Sequence, residues 1–195
     1  MEHTKADRWK AEDPLAGNLT PLSKGYRGRK NVLLEKEQVY QALNQWGIPY
    51  DAVEHPAAFT MEEIQELGLL ERGPICKNLL LRDSKGRNFY LLVVLGDKHV
   101  DLKALAGQLN SSRLGFASEH RLEEYLGVRQ GSVSPLGVLY DQEGKVQVLL
   151  DRELVDQPLL GVHPNENTAT LWLSYDHLLS YFDHCNHKVR LVDLE

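Results

Sequence analysis

Apolar residues recur at helical spacing in five stretches of the chain, each bounded by residues that commonly begin or end helices. The first stretch carries Val39 and Leu43 on one face and is followed by Gly47. In the second, Thr60 and Glu63 have the spacing of a capping box, in which each side chain accepts a backbone N–H. The pattern predicts helices over residues 35–46, 60–70, 101–109, 118–126 and 174–182.

Alternating and continuous apolar runs predict short strands between these helices. Residues 88–95 are apolar on both faces, which is typical of a central strand that is covered on both sides. Turn residues at 83–86 and 141–144 predict two hairpins. The predicted strands span residues 48–54, 74–82, 88–95, 138–140, 146–150, 169–173 and 188–192. Short strands interspersed with helices favour an α+β (mixed α/β) fold in a single domain.

Residues 1–30 differ from the rest because they contain prolines and glycines and lack a sustained apolar period. We expect a flexible N-terminal extension there and a folded domain over residues 31–195. Basic residues crowd around Tyr26 with no acidic residue between positions 21 and 30; they are Lys24, Arg27, Arg29 and Lys30. This segment fits either a solvated tail or a contact with an RNA backbone.

Composition narrows the class of protein. The 195 residues include 22 basic and 28 acidic side chains, which give a net charge of −6 and argue against a broadly basic nucleic-acid surface. Cys76 and Cys185 are the two cysteines, so no disulfide framework is expected and a reducing cytoplasm fits. No apolar run is long enough to span a membrane. We therefore expect a cytoplasmic protein without a membrane partner.

One residue departs from the apolar pattern of the predicted strand 74–82. Alternation places Lys77 on the same face as Ile75 and Leu79, where an unpaired lysine is rarely buried. Two interpretations are open. The side chain extends to solvent from the end of the strand, or it presents a cation to a phosphate or carboxylate at the edge of a cleft.

Two glycine-containing segments are candidates for backbone recognition of a ligand. Residues 131–137 form a loop of small residues, whose exposed amides can bind an anion or an oxyanion. Residues 161–164, Gly-Val-His-Pro, place an imidazole between a flexible and a rigid residue just before a predicted strand. Either segment alone is equally compatible with an ordinary turn.

Metal and cysteine chemistry are poorly supported by the spacing of the residues. The possible ligands His163, His177, His184, Cys185 and His187 match no zinc signature with a second ligand pair. Cys76 adjoins Lys77, but adjacent strand residues face opposite sides, so Cys76 is expected in the core. No nucleophile elbow, phosphate-binding loop or dinucleotide fingerprint is present. We expect neither a metal nor a cofactor.

Four stretches, in this order, resemble the editing-domain family that includes the bacterial YbaK proteins and the insertion domain of prolyl-tRNA synthetase. They are residues 55–60 (His-Pro-Ala-Ala-Phe-Thr), 77–79 (Lys-Asn-Leu), 131–135 (Gly-x-x-x-Pro) and 161–164 (Gly-x-His-Pro). The match runs across about residues 35 to 194. Within the family, the Cys-Lys-Asn-Leu run and the Gly-Val-His-Pro turn are most similar to the freestanding ProXp-ala (PrdX) proteins, which deacylate alanyl-tRNA(Pro).

The resemblance implies a partly barrel-like mixed sheet surrounded by helices. It also implies an ester hydrolysis without metal, cofactor or covalent enzyme intermediate, in which the substrate's own ribose hydroxyl assists. Lys77 would bind the phosphate or ribose of the acceptor end, and His163 would orient the substrate. The implied catalytic residues are Lys77, His163, Gly161 and Gly131, the two glycines acting through their amides. The implied substrate-binding residues are Asn78, Phe59, Thr60, Ile75, Leu79, Ser132, Ser134, Pro135, Val162 and Pro164.

The expected substrate is tRNA(Pro) mischarged with alanine, and the expected protein partners are prolyl-tRNA synthetase or other translation proteins. A synthetase pocket built for proline cannot strongly exclude alanine, because lost apolar contacts are worth only ~1–3 kcal/mol. A smaller hydrolytic pocket, with Ile75, Phe59 and Leu79 as candidate walls, would accept alanine and exclude proline. Two alternatives stay open: a cysteinyl-tRNA(Pro) deacylase, and a non-catalytic tRNA-binding module on the same fold.

Overall fold

The computed structural model describes residues 35–194. The predicted extension over residues 1–30 and its basic cluster around Tyr26 lie outside this range. Within it, the polypeptide forms five α-helices and eight strands. The helices are α1 (Lys36–Gln45), α2 (Met61–Glu66), α3 (Leu102–Gln108), α4 (Glu119–Leu126) and α5 (Tyr175–His184). The strands are β1 (Asp51–Glu54), β2 (Cys76–Arg82), β3 (Phe89–Leu95), β4 (Gly115–Phe116), β5 (Val146–Asp151), β6 (Leu160–Val162), β7 (Ala169–Leu173) and β8 (Val189–Val192).

Local side-chain hydrogen bonds begin the helices where the sequence predicts. The hydroxyl of Thr60 accepts the N–H of Glu63, whose carboxylate accepts the N–H of Thr60, so the predicted capping box of α2 is present. Asp101 caps α3, and Ser174 caps α5. None of the helices in residues 35–194 is long and apolar enough to cross a membrane.

The larger sheet has five strands in the order β4-β2-β3-β5-β8. Strands β2 and β3 form the predicted antiparallel hairpin, and β5 pairs in parallel with both β3 and β8. Alternate residues of β3 contribute to two separate core clusters, one on each face of the sheet. The prediction of a central strand that is covered on both sides is confirmed.

The smaller sheet has three antiparallel strands in the order β1-β7-β6. One face of β7 is buried against the main core through Leu171 and Leu173, and the other face carries Thr170 and Trp172. Together the two sheets give the mixed α/β single domain that the sequence predicts. Over residues 35–194 the sheets do not close into a barrel.

The prediction of a second hairpin over residues 138–150 is wrong. Residues Pro135–Leu139 form a 3-10 helix, which begins where Ser134 accepts the N–H of Leu136 and where Pro135 fixes the first turn. The following strand, β5, pairs with β3 and β8 instead. An apolar run of three residues cannot distinguish a buried helical turn from a strand, which explains the error.

Candidate functional site

The two sheets are joined at the Gly-Val-His-Pro motif. Gly161 pairs in parallel with Ile75, just before β2, and donates its N–H to the carbonyl oxygen of Pro74 at 2.8 Å. A Cβ atom on residue 161 would lie 2.7 Å from Ile75 Cγ1 and 3.1 Å from Trp172 Nε1, so glycine is required by close packing. The sequence assigns the Gly161 amide to the substrate, but in the fold this amide is committed to the junction.

The side chain of His163 lies on the face of β6 opposite to the main core. Val162, its neighbour, is fully buried in that core, and Pro164 is buried as well. The side chain of Val162 therefore points away from the face of His163, which does not support its predicted contact with a substrate there. Pro164 fixes the turn.

Burial lowers the pKa of His163 to about 4, with a smaller lowering from the nearby His55, while a hydrogen bond with the backbone of Val133 acts in the opposite direction. The imidazole is thus neutral at neutral pH. A bond that favours the protonated ring has a ring N–H as donor. The Nδ1 atom of His163 is buried and has no hydrogen-bond partner among residues 35–194.

His55 adds a second imidazole beside His163. Its Nε2 lies 2.9 Å from Thr170 Oγ1 on β7, and its Nδ1 lies 2.8 Å from the carbonyl oxygen of Pro56. The backbone N–H of His55 also donates to Thr168 O. The His-Pro segment after β1 is therefore fixed against the segment that follows His163.

The Gly131 loop reaches the same place through Ser134. The buried hydroxyl of Ser134 donates to the backbone carbonyl of His163 at 2.6 Å, and Pro135 is buried in the 3-10 helix that follows. Gly131 has a φ of +86°, a left-handed conformation that favours glycine, and Ser132 is half-buried beside it. Ser134 and Pro135 thus position the loop, whereas Gly131 and Ser132 form its accessible part.

Phe59 lies over this loop. A Cβ atom on residue 131 would be 3.7 Å from the Phe59 ring, and Phe59 is 70% exposed. Such exposure fits an aromatic surface at the rim of the site better than a wall of an enclosed pocket. Thr60 is committed to capping α2 through its hydroxyl.

Lys77 lies on the other strand of the junction, two residues after Ile75. Its ammonium donates to the carbonyl oxygen of Lys98 at 2.5 Å, and its side chain is half-buried on the face shared by Ile75 and Leu79. Asn78 points to the other face, towards the main core, where its Oδ1 is buried without a partner in residues 35–194. Leu79 packs against the second core cluster.

A cavity of about 400 Å³ opens between α2, the start of β2 and the turn after β3. Ile75 lines it, whereas Phe59 and Leu79, the other two expected wall residues, do not. The cavity has an apolar end formed by Met61, Ile75 and Leu95, and acidic side chains, Glu62 and Asp97, at other points of its lining. A small apolar group and a neighbouring ammonium group would both find complementary surroundings here.

The cysteine and metal alternatives lose support from these positions. Cys76 is buried in the core, which raises the pKa of its thiol to about 12 and disfavours the reactive thiolate. His184 stacks on Trp46 at a centroid distance of 4.8 Å, and His187 is buried against Asp141 at 3.1 Å. Each of these side chains has its own packing partner, and no group of three His, Cys, Asp or Glu side chains that could hold a metal ion occurs in residues 35–194.

Sequence reasoning assigned no role to several residues at the site. His55 could have been selected, because it directly precedes a proline at the end of a predicted strand. Thr170 and Lys98 carry no such local signal, since only the tertiary fold brings them to His55 and Lys77. Asn165 also carries no local signal. It is buried with a φ of +66°, and its side-chain amide has no hydrogen-bond partner in the described residues.

Comparison with known proteins agrees with this architecture. Residues 55–181 match the family described as the aminoacyl-tRNA editing domain. The chain belongs to this family.

Two relatives and one solved structure illustrate the similarity. The prolyl-tRNA editing protein ProX of Acetoanaerobium sticklandii is 43% identical over 143 residues, which cover 73% of this chain and 87% of that protein. The prolyl-tRNA synthetase associated domain-containing protein 1 of Danio rerio is 34% identical over 78% of this chain and 83% of that protein. The crystal structure of a candidate trans-editing enzyme for prolyl tRNA synthetase superposes with a TM-score of 0.66 at 23% identity, covering 91% of this chain and 99% of that one, and supports the fold alone.

Proposed function

We propose that this protein is a trans-editing hydrolase that deacylates tRNA(Pro) mischarged with alanine. The reaction adds water to the ester carbonyl carbon, breaks the bond to the ribose oxygen, and releases alanine and tRNA with a free terminal hydroxyl. An aminoacyl ester is already activated, so positioning and oxyanion stabilisation supply much of the acceleration.

The observation that carries the proposal is the parallel pairing of Ile75 with Gly161. Lys77 and His163 are each the second residue after this pair, so both side chains emerge on the same side of the junction. A cation and a neutral acceptor in this relation suit a substrate that carries both a phosphate and polar hydrogen-bond donors.

We assign each group a role that its hydrogen bonds permit. Among the described residues, Lys77 has one N–H on the carbonyl of Lys98, which leaves two donors for the phosphate or ribose of the acceptor end. His163, being neutral, has one ring nitrogen that can accept a hydrogen bond from the ribose hydroxyl or the α-ammonium group. It therefore orients the substrate, whose own ribose hydroxyl assists the attack.

Of the two candidate backbone amides, those of Gly131 and Gly161, we assign the Gly131 amide as the donor to the oxyanion. Among the described residues its N–H has no hydrogen-bond partner, whereas the Gly161 amide is bonded to Pro74. An unpaired backbone donor at an exposed glycine with a positive φ is suited to a developing negative charge. Gly161 is retained as the residue that fixes the relation between the two sides of the site.

Selection of the amino acid is assigned to the apolar end of the cavity around Ile75. Ile75, Met61 and Leu95 line this part of the cavity, and we propose that they accept a methyl side chain and exclude the larger pyrrolidine ring of proline. Phe59 and Ser132 are assigned to the rim, where an exposed aromatic ring can stack on a base at the acceptor end.

Deacylation of alanyl-, cysteinyl- and prolyl-tRNA(Pro), each measured beside its spontaneous hydrolysis, tests the proposal. We expect rapid release of alanine, slower release of cysteine and no acceleration for proline. Preference for cysteinyl-tRNA would assign the protein to cysteine editing. If no ester is hydrolysed faster than in buffer, a non-catalytic tRNA-binding module takes the place of the enzyme.

The protein is assigned to the cytoplasm, with prolyl-tRNA synthetase as its expected partner in delivering the substrate. We further propose that residues 1–30 are an extension to the editing domain and that their basic cluster contacts the tRNA backbone. Removal of residues 1–30 should then make tRNA binding less dependent on salt. An unchanged salt slope would leave the segment without a role in binding.

A further inference from the structure

The turn after β3 contacts a charged residue on each of the two strands that flank β3, Lys77 on β2 and Asp151 on β5. In the larger sheet β3 lies between β2 and β5, antiparallel to the first and parallel to the second. The end of β3 therefore lies beside the start of β2, which carries Lys77, and the end of β5, which carries Asp151. Lys98 follows β3 by three residues and lies between the two.

Lys98 contacts both neighbours with different atoms. Its carbonyl oxygen accepts the Lys77 ammonium at 2.5 Å. Its own ammonium lies 2.8 Å from Asp151 Oδ2 and 2.9 Å from Glu153 Oε1. The backbone of the turn is held as well, since Lys98 donates its N–H to Leu95 O and Gly96 donates to Ile75 O.

The ion pair is buried on its inner side. The side chains of Lys98 and Asp151 are 11% and 1% exposed, whereas Glu153 is 57% exposed. Burial lowers the pKa of Lys98, but its contacts with Asp151 and Glu153 outweigh this effect and raise it. The ammonium is therefore charged and held at both carboxylates.

A buried ion pair of this kind is poor evidence of stabilisation, because desolvation offsets much of the attraction between the charges. Its stronger effect is to fix the position of Lys98. Lys98 has a four-carbon stem with high conformational freedom, and two carboxylates fix its far end while the turn fixes its backbone. The carbonyl that receives Lys77 is thus immobilised from both directions.

We propose that Lys98 is a positioning residue for Lys77, and that Asp151 and Glu153 act through it. This inference rests on the proposed deacylase function, because the orientation of the Lys77 ammonium matters for the reaction only if Lys77 binds the substrate. The flexible Lys77 side chain is confined by one hydrogen bond, so that its two remaining N–H groups point at the substrate. Asp151 and Glu153 themselves do not touch the substrate.

Glu153→Gln is the most informative variant, because Glu153 is exposed and its loss should leave the fold intact. Arg152→Gln is its matched control: the neighbouring residue is 59% exposed and pairs with Asp193 instead of Lys98. Asp151→Asn removes the buried carboxylate and should have a larger effect. We expect single-turnover deacylation to fall roughly tenfold in Asp151→Asn and about threefold in Glu153→Gln, with tRNA affinity unchanged.

A double-mutant cycle separates positioning from general structure. If Glu153 acts through Lys77, Glu153→Gln should lower the rate in the wild-type background and have no effect in a Lys77→Ala background. Its small effect on the midpoint of thermal unfolding should be the same in both. Equal loss of rate in the two backgrounds would overturn the proposal, as would an unchanged rate in Asp151→Asn that remains folded.

A measurement without substrate distinguishes this inference from the proposed function. NMR of the lysine ammonium groups in ¹⁵N-lysine-labelled protein, assigned with Lys77→Arg, reports the order of the Lys77 Nζ group. We expect that order to fall in Asp151→Asn and Glu153→Gln but not in Arg152→Gln. Unchanged order would refute positioning even in an active deacylase, while lowered order in a protein without activity would refute only the proposed function.

Discussion

Ile75 and Gly161 pair in parallel where the two sheets of the fold meet, and this contact joins the strand of Lys77 to the turn of His163. The pairing leaves no space for a side chain on Gly161, because atoms of Ile75, Trp172 and the Pro74 carbonyl all lie within 3.2 Å of the position that a Cβ would take. The relation between the cation and the imidazole therefore depends on one glycine.

Gly161→Ala should destabilise the protein by about 1–3 kcal/mol through overpacking, and should lower deacylation further by separating Lys77 from His163. Chemical denaturation and single-turnover hydrolysis measure the two effects. Gly107→Ala, at an uncrowded helical position in α3, is the control and should leave stability equal or slightly higher. A fully active and stable Gly161→Ala protein would contradict the role of the junction.

Lys77→Ala should lower the deacylation rate about 100-fold, because it removes the cation that meets the acceptor end. Stability should change little, since within residues 35–194 the ammonium makes one hydrogen bond, with Lys98 O. Lys103→Ala, on the exposed first turn of α3, is the control for loss of a positive charge. If the two variants hydrolyse the ester equally fast, Lys77 is not part of the catalytic machinery.

The depressed pKa of His163 predicts how stability depends on pH. The ring has an ordinary value of 6.5 and a folded-state value of about 4, so the unfolded chain takes up a proton in this window before the folded protein does. Stability should fall as the pH drops from 6.5 to 4, by up to about 3 kcal/mol from this group.

His163→Gln should make stability depend less on pH between 7 and 4, the range in which histidine gains its proton. Urea denaturation at several pH values measures this dependence. His120→Gln, at an exposed position on α4, should retain the wild-type slope. An identical slope in both variants would assign the acid sensitivity to other groups and remove the evidence for a neutral buried imidazole.

Ile75→Ala should relax selectivity, because it enlarges the apolar end of the cavity beside Met61. We expect the ratio of prolyl to alanyl deacylation to rise roughly tenfold, which is the size of effect that a few methyl groups give. Leu79→Ala is the matched control, since it truncates an apolar residue on the same face of the chain that packs against the second core cluster.

Both variants should lose stability through the space that they leave, so stability alone does not discriminate between them. The ratio of prolyl to alanyl deacylation does discriminate between them. A rise of the same size in Leu79→Ala would show that loosening of the sheet, and not the lining of the cavity, controls which amino acid is accepted.

Local sequence patterns are sufficient to predict the hairpin of β2 and β3, the capping box at Thr60 and the position of Lys77 on an apolar face. Each depends on residues a few positions apart. The apolar run at residues 138–140 is too short to predict correctly, because three residues do not distinguish a helical turn from a strand. Its structure depends on the Ser134 cap and on partners of β5 that are distant in the chain.

The site is less predictable than the fold, because hydrogen-bond partners decide which backbone and side-chain groups are free. On sequence alone the amides of Gly131 and Gly161 are equally good candidates, although Pro74 occupies the second. No local pattern connects Lys77 with Lys98, which is 21 positions away, or Lys98 with Asp151. Such pairs depend on strand order, which local patterns do not specify.

Strand β3 is almost fully buried on both faces and paired on both edges, so it should belong to the last part of the molecule to exchange its amide hydrogens. Lys77, Lys98 and Asp151 all attach to its end or to its direct neighbours. Local opening of the surface would therefore leave their arrangement intact, and we expect heat to abolish activity only where it unfolds the whole domain.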